Sequence, residues 1–437
     1  MPAGRSIPWD IYEEHLDEAA FLWGQWESAL DAPNYALPDV IVGPEERLRA
    51  HLDGLVLGGA PVAEKLLLPA LGDEDAGKVA AAAWALLQGE DADHLDGVFD
   101  ALTKAEKKEV RAALGRAFEL SLRADLVTRV TPLFAASSPS TQAVILNVVS
   151  ARGAMSTLPP LETLLVTRHP ELLAAALRAL SRTPHPEQAR LVEPALSSAY
   201  VAIREAAIEA GMMLGMRAAW QACNKLVARN ASGSKLAMAL LALGGEAADL
   251  NTVIKKLTVK TMQRDALWAL GFSGTVEAAD AVLELVDDEE LAKLVGEAFT
   301  TITGAPIFGA LAKVGETDNT SPPEVIEDDD APLPVLKPED GLPVPNGERL
   351  RAWWEKTKGQ FSPGARYIYG QPATPETLHL ALEQGPTWRR RVWSLEVAVR
   401  GGIAPRGGGW GSDEKKAAQA FPAGMRVDRR LTELARV

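Results

Sequence analysis

Apolar and polar positions along this chain fall into a phrase that keeps returning. A run of Ala and Leu ending in a small residue or Gly occurs at residues 82–87, 113–118, 145–150, 176–181, 206–211, 239–244, 266–271 and 294–299. From first residue to first residue the spacings are 31, 32, 31, 30, 33, 27 and 28. A drifting period near 30 in an Ala/Leu-rich chain is the signature of a helical repeat array. The fold class is therefore all-α: an α-solenoid of about eight helical pairs, with N-terminal helices before it and a C-terminal helical cap after it.

The elements follow from local signals. Asp10 followed by Glu13 has the spacing of a capping box and predicts a helix start. Ile11, Leu22, Trp23, Trp26 and Leu30 then share one broad face. The two tryptophans read as a buried seam against the first repeat. Pro33, Pro38 and Pro44 bracket a loop, and the next helix carries Leu48, Leu52, Leu55 and Val56 on one stripe. Each repeat is expected to hold two antiparallel helices. The clearest case is residues 235–243, stopped by Gly244-Gly245, then 248–257, then 262–270, stopped by Gly271, because glycine accepts the left-handed backbone past a helix end. Small residues within the phrase let neighbouring helices approach closely. Eight pairs roughly 8–10 Å apart predict a rod or arc about 70 Å long, with a groove lined by one helix per repeat.

Residues 316–346 differ in kind. They hold seven prolines and the acidic run Glu327-Asp328-Asp329-Asp330, so they read as a linker that forms neither regular helix nor core. Beyond it, residues 347–361 with Trp353 and Trp354 predict a helix. Residues 374–384 and 386–400 predict a degenerate ninth pair that caps the array, and the glycine-rich tail from Gly401 reads as loose. The domain plan is 1–43 N-terminal helical segment, 44–315 repeat array, 316–346 acidic Pro-rich linker, and 347–437 basic C-terminal helical segment.

Charge narrows the function. The net charge is −14, distributed as −13 over 1–315, −8 over 316–346 and +7 over 347–437. A phosphate backbone calls for a basic face, so no nucleic-acid partner is expected. The single cysteine, Cys223, allows no disulfide within the chain and fits a reducing compartment. The N-terminus lacks a signal-peptide core, and the apolar runs are too short to span a bilayer. The expectation is a cytoplasmic protein with no membrane contact.

Candidate chemistry is sparse. Gly72–Lys78 has the spacing of a phosphate-binding loop, but Val79 stands where a Ser or Thr is needed and three carboxylates would repel phosphate. It reads as an inter-helix turn. None of the six histidines lies three or four residues from another, so no helical zinc pair is expected. His15 and His51 read as surface or helix-face residues. No catalytic, cofactor or metal residues are assigned. The most suggestive surface is Trp388-Arg389-Arg390-Arg391 with Trp393, whose forked donors and rings would grip an acidic peptide or phosphate of a partner, or meet acidic groups of the same chain.

The stretches EHLDEAAFLW (14–23) and ERLRAHLDGL (46–55) resemble the opening motifs of an uncharacterised proteobacterial HEAT-repeat family, common in myxobacteria and in type VI secretion gene neighbourhoods. The likeness continues through AIEAG (207–211), AWQAC (219–223) and GARYIYGQP (364–372). It implies HEAT-like pairs and a secretion-related setting, and carries over no catalytic residue. The mid-repeat Asp and following Lys/Arg of HEAT repeats are poorly kept. The function expected is a non-enzymatic scaffold or adaptor that binds another protein, such as a secretion effector or component. The alternatives are a HEAT-like-repeat nucleic-acid-binding protein or DNA glycosylase, which the acidic body disfavours, and a tetrapyrrole-binding, chromophore lyase-like repeat protein. The sequence leaves the oligomeric state open.

Overall fold

The computed structural model describes residues 7–313, 337–403, 409–418, 424–427 and 430–434. The acidic run 327–330 lies outside them, as do Gly407 and Gly408. The described chain is an all-α helical repeat fold; its one sheet is a two-stranded hairpin, Tyr367–Ile368 with Gln371–Pro372. It divides into two compact units. The first comprises Met1–Asp31, Leu37–Ala210 and Ala404–Ala420; the second comprises Ala32–Ala36, Gly211–Ile403 and Phe421–Val437.

In the first unit the first helix and the phrase-bearing helices are successive neighbours. Trp9–Ala29 packs on Ala76–Gln88, which packs on Lys108–Leu120, then Pro139–Ala151, then Pro170–Arg182. In the second unit Lys235–Gly244, Gln263–Leu270 and Ala292–Thr303 follow the same order. The most apolar of these helices, Ala76–Gln88 and Lys235–Gly244, have buried residues on most of their faces. Within Lys235–Gly244 every residue from Leu236 onward is buried. The small residues serve close approach: a Cβ on Gly115 would lie 2.8 Å from Val144 Cγ1, and one on Gly211 would lie 2.7 Å from the Ala219 Cβ.

The second helix of a repeat is often much shorter than a pair of equal helices requires. Leu126–Val130, Leu161–Leu164 and Ala189–Val192 are single turns, continued or preceded by 3-10 turns. Prolines at 132, 159, 160, 186 and 194 lack the N–H that a longer helix uses. The first helix also differs in its start. It begins at Trp9 with Pro8 at the N-cap, and Asp10 lies in its first turn instead of capping it. An acid there still favours the helix dipole.

A ladder of side-chain donors joins one repeat to the next. Arg123 donates to the Gly89 carbonyl, Arg152 donates to the Phe118 and Ser121 carbonyls, and Arg182 Nη1 donates to Ser150 Oγ at 3.0 Å. Helix C-termini leave carbonyls without intrahelical partners. Here Arg123 and Arg152, from the repeats that follow, supply a cation to carbonyls at two such ends, and Arg182 reaches a hydroxyl near a third.

The region read as a bracketed loop, 33–44, is largely helical. Leu37–Val40 runs into a wide π turn, Ile41–Glu45, and on into Glu46–Leu57. Pro44 sits inside that turn, where its missing N–H breaks the regular ladder. The tail is likewise not loose throughout: residues 411–418 form a helix. Of the segment read as linker, 337–346 is described. It holds a 3-10 turn, Pro338–Gly341, with Glu339 buried, and Pro345 bridges to Ala312.

The hairpin closes the second unit. Tyr369 and Gly370 take positive φ, as a two-residue turn of this hand requires. Their backbone N–H groups donate to the Thr301 and Ile302 carbonyls, while Tyr367 N–H donates to Gly274 O at 2.8 Å. The stretch 364–372 thus ties off the ends of two repeat helices.

Candidate functional site

The five residues read as a partner grip are divided by the structure. Thr387–Arg389 form a 3-10 turn that leads into the helix Arg390–Gly401, so Trp388 and Arg389 project differently from the residues that follow. Arg389 is fully buried. Its Nε and Nη2 donate to the two carboxylate oxygens of Glu297, and Nη1 donates to the Trp268 carbonyl at 2.9 Å. Its guanidinium lies 4.6 Å from the centre of the Phe272 ring. Trp388 Nε1 donates to Glu297 Oε1, the oxygen that also takes Arg389 Nε, at 3.2 Å. Trp393 is buried against Phe272 and Tyr369. Arg390 is half-buried and donates to the Leu382 carbonyl, whereas Arg391 is exposed. The acidic group that Arg389 grips is therefore Glu297 of its own chain. Gly271, which ends one copy of the phrase, admits it: a Cβ there would lie 2.4 Å from Arg389 Nη2.

A second buried clasp stands nearby in the same unit. Glu396 accepts from Arg366 and Arg400, with Arg400 Nε at 2.8 Å. Burial pushes the Glu396 carboxyl up, but the two guanidinium groups outweigh it and hold the carboxyl below its usual range.

The first unit contains the site that sequence reasoning missed. Trp23, Trp26 and Trp84 surround the ring of Trp410, with centroids at 6.3, 4.8 and 5.7 Å. The Arg49 guanidinium lies 4.4 Å from that ring. Trp410 is 2 % exposed. Beside it the wide turn at Pro44 turns Glu45 inward, where the carboxylate is 2 % exposed. Glu45 Oε2 accepts from Gly411 N–H at 2.6 Å and Trp26 Nε1 at 3.1 Å; Oε1 accepts from Ser412 N–H at 3.2 Å. Arg49 pairs with the same group at 3.5 Å and also donates to Ser412 Oγ. One buried carboxylate thus caps the N-terminus of the helix Gly411–Ala418, and an aromatic box holds the residue just before it. The signal in the sequence was slight: one tryptophan in a glycine-rich stretch, followed by Ser-Asp-Glu.

The remaining candidates are quickly placed. In the 72–78 turn, Asp75 accepts from the Gly77 and Lys78 amides, the donors a phosphate would need, and caps the helix Ala76–Gln88. Cys223 is buried, and burial drives its thiol far above the ordinary range. An open cavity of about 560 Å³ lies between the turns at 155–162 and 183–188, lined by Pro159, Pro160 and Pro186 with Glu162 and His185 among its polar groups. No described helix is long and apolar enough to cross a membrane.

No family model matches the chain, and no curated protein matches it. Among solved structures it is similar to human deoxyhypusine hydroxylase in complex with glycerol, at a TM-score of 0.22 and 16 % identity, over 66 % of this chain and 95 % of that one. A likeness at that score carries no argument about activity.

Proposed function

We propose that this is a non-enzymatic helical-repeat scaffold whose surface binds polypeptide segments of a protein partner. The observation that carries the reading is the Trp410 box. There the repeat helices of the first unit hold a short stretch of chain by the means that peptide-binding surfaces use. A large aromatic anchor fills a pocket, and a carboxylate takes consecutive backbone N–H groups at a helix start. The repeat architecture supports it, since stacked helices offer extended surface with few demands on any one side chain. The partner to look for first is a secretion effector or component, on the strength of the N-terminal motifs alone.

The test uses a fluorescent peptide spanning residues 409–418, GWGSDEKKAA. Full-length Trp410→Ala protein, with its own anchor removed, is expected to bind the peptide in trans. The native chain, whose segment competes at high effective concentration, is expected to bind it at least tenfold more weakly. Glu45→Gln in the Trp410→Ala background is expected to abolish binding. Failure of the Trp410→Ala protein to bind, with its helical circular dichroism retained, would sink this reading.

A further inference from the structure

His15 and His51 lie on different helices, yet their Nδ1 atoms are 3.0 Å apart. The rings meet edge to face, with centroids 5.1 Å apart and planes at 75°. The close approach is built into the second helix. Gly54, nearly one turn after His51, has no side chain, and a Cβ there would stand 3.0 Å from His15 Nε2 and 3.1 Å from Cδ2. The helices that carry the rings, Trp9–Ala29 and Glu46–Leu57, pack directly on one another. Both histidines are partly exposed.

We propose that His15 and His51 form a two-imidazole clasp for a late first-row divalent transition metal ion, Cu²⁺ above all. A metal–imidazole bond is roughly 2.0–2.1 Å long, so two nitrogens on neighbouring positions of a tetragonal ion stand roughly 2.9 Å apart, and on a tetrahedral ion roughly 3.4 Å apart. The 3.0 Å that a hydrogen bond between the two rings spans in the metal-free protein also suits the tetragonal case, which is the geometry of Cu²⁺ and Ni²⁺, and Cu²⁺ heads the affinity order for nitrogen donors. On binding, the contact between the two Nδ1 atoms is replaced by two metal bonds, and each neutral ring carries its proton on Nε2. Burial first, and then the neighbouring His15, hold His51 below the usual imidazole range; Glu18 and Glu14 act against them, and Arg47 adds to the lowering. Among the described residues no group of three or more His, Cys, Asp or Glu stands together to hold a metal. Water fills the other coordination positions, and the site is open and exchangeable. The proposal is independent of the Trp410 box.

Untagged full-length protein is titrated with CuCl₂, NiCl₂, ZnCl₂ and MgCl₂ in a non-chelating buffer and followed by calorimetry, with electron paramagnetic resonance for copper. One Cu²⁺ per chain is expected, with weaker Ni²⁺ and Zn²⁺, no Mg²⁺, and nitrogen hyperfine coupling from two imidazoles. His15→Gln and His51→Gln should each weaken copper binding by about tenfold or more, with the metal-free thermal midpoint close to native. Gly54→Ala, which presses on the His15 ring, should weaken it too. Equal copper uptake by the doubly substituted protein overturns the proposal, as does a copper spectrum without nitrogen coupling.

Discussion

The Trp410 ring lies 4.8 Å from the Trp26 ring, tilted by 41°, although one residue stands in the first helix and the other near the C-terminal end of the sequence. Between them Glu45 joins a tryptophan N–H to the backbone of the following helix. Trp410→Ala empties a box of three indoles, a loss of about 3–5 kcal/mol for a large buried side chain. The segment should undock before the repeats unfold. Limited trypsin digestion is expected to cut after Lys415 at least tenfold faster than in the native chain, and an unchanged rate there would contradict this placement.

Arg389 and Glu297 form a buried pair, and removing one partner strands the other. Arg389→Ala should cost about 3–5 kcal/mol. Arg389→Lys should recover little, because a single ammonium cannot replace the fork. Arg389→Met combined with Glu297→Gln should be milder than Arg389→Ala alone. Urea unfolding of the three proteins checks the ranking.

Two glycines separate backbone strain from lack of space. Gly153 has φ +66° and nothing within 4 Å of where a Cβ would stand, while Gly274 has φ +64° and the Tyr367 carbonyl oxygen only 2.1 Å from that position. Gly153→Ala should cost about 1 kcal/mol. Gly274→Ala adds a clash with backbone that cannot move aside cheaply, and should cost at least about 2 kcal/mol more. Equal thermal midpoints for the two variants would refute the distinction.

Acid should act through Glu396. Its carboxyl is held below the ordinary value of 4.5, so the folded state binds fewer protons than the unfolded one. The contribution to stability is complete above that value and is lost as pH falls below it towards the folded value. Urea midpoints recorded between pH 6 and pH 3 should fall in the native protein. In Glu396→Gln the fall below about pH 4.5 should be shallower.

The inter-repeat ladder predicts a graded effect. Arg152 donates to two carbonyls of the preceding repeat, and Arg152→Ala should cost about 1.5–3 kcal/mol by leaving them without that charged donor. Arg152→Lys should lose less. Hydrogen exchange at the end of the Lys108–Leu120 helix should quicken in the alanine variant.

The repeat was readable because its cause is local. Ala and Leu at helical spacing predict a helix wherever they stand, and all eight copies of the phrase do fall in helices, although the caps Gly245 and Gly271 keep negative φ and do not take the left-handed backbone expected of them. Turn chemistry was partly readable for the same reason. Asp75 caps its helix in the 72–78 turn, as the rejection of a phosphate loop implied. Pro44 misled, because proline ordinarily ends a helix and here widens one turn of it. The basic and aromatic stretch 388–393 was visible, but its direction was not. A 3-10 turn before Arg390 sends Arg389 inward, and Gly271 leaves room for it.

Periodicity and composition were enough to establish helices, a repeat near 30 residues, and an acidic body. They could not pair residues that meet only through packing. Glu45 with Gly411, His15 with His51 and Arg389 with Glu297 each join distant parts of the chain. A pairing of that kind depends on where rigid helices come to lie and on which glycine leaves space between them, and neither is encoded in the neighbours of a residue along the chain.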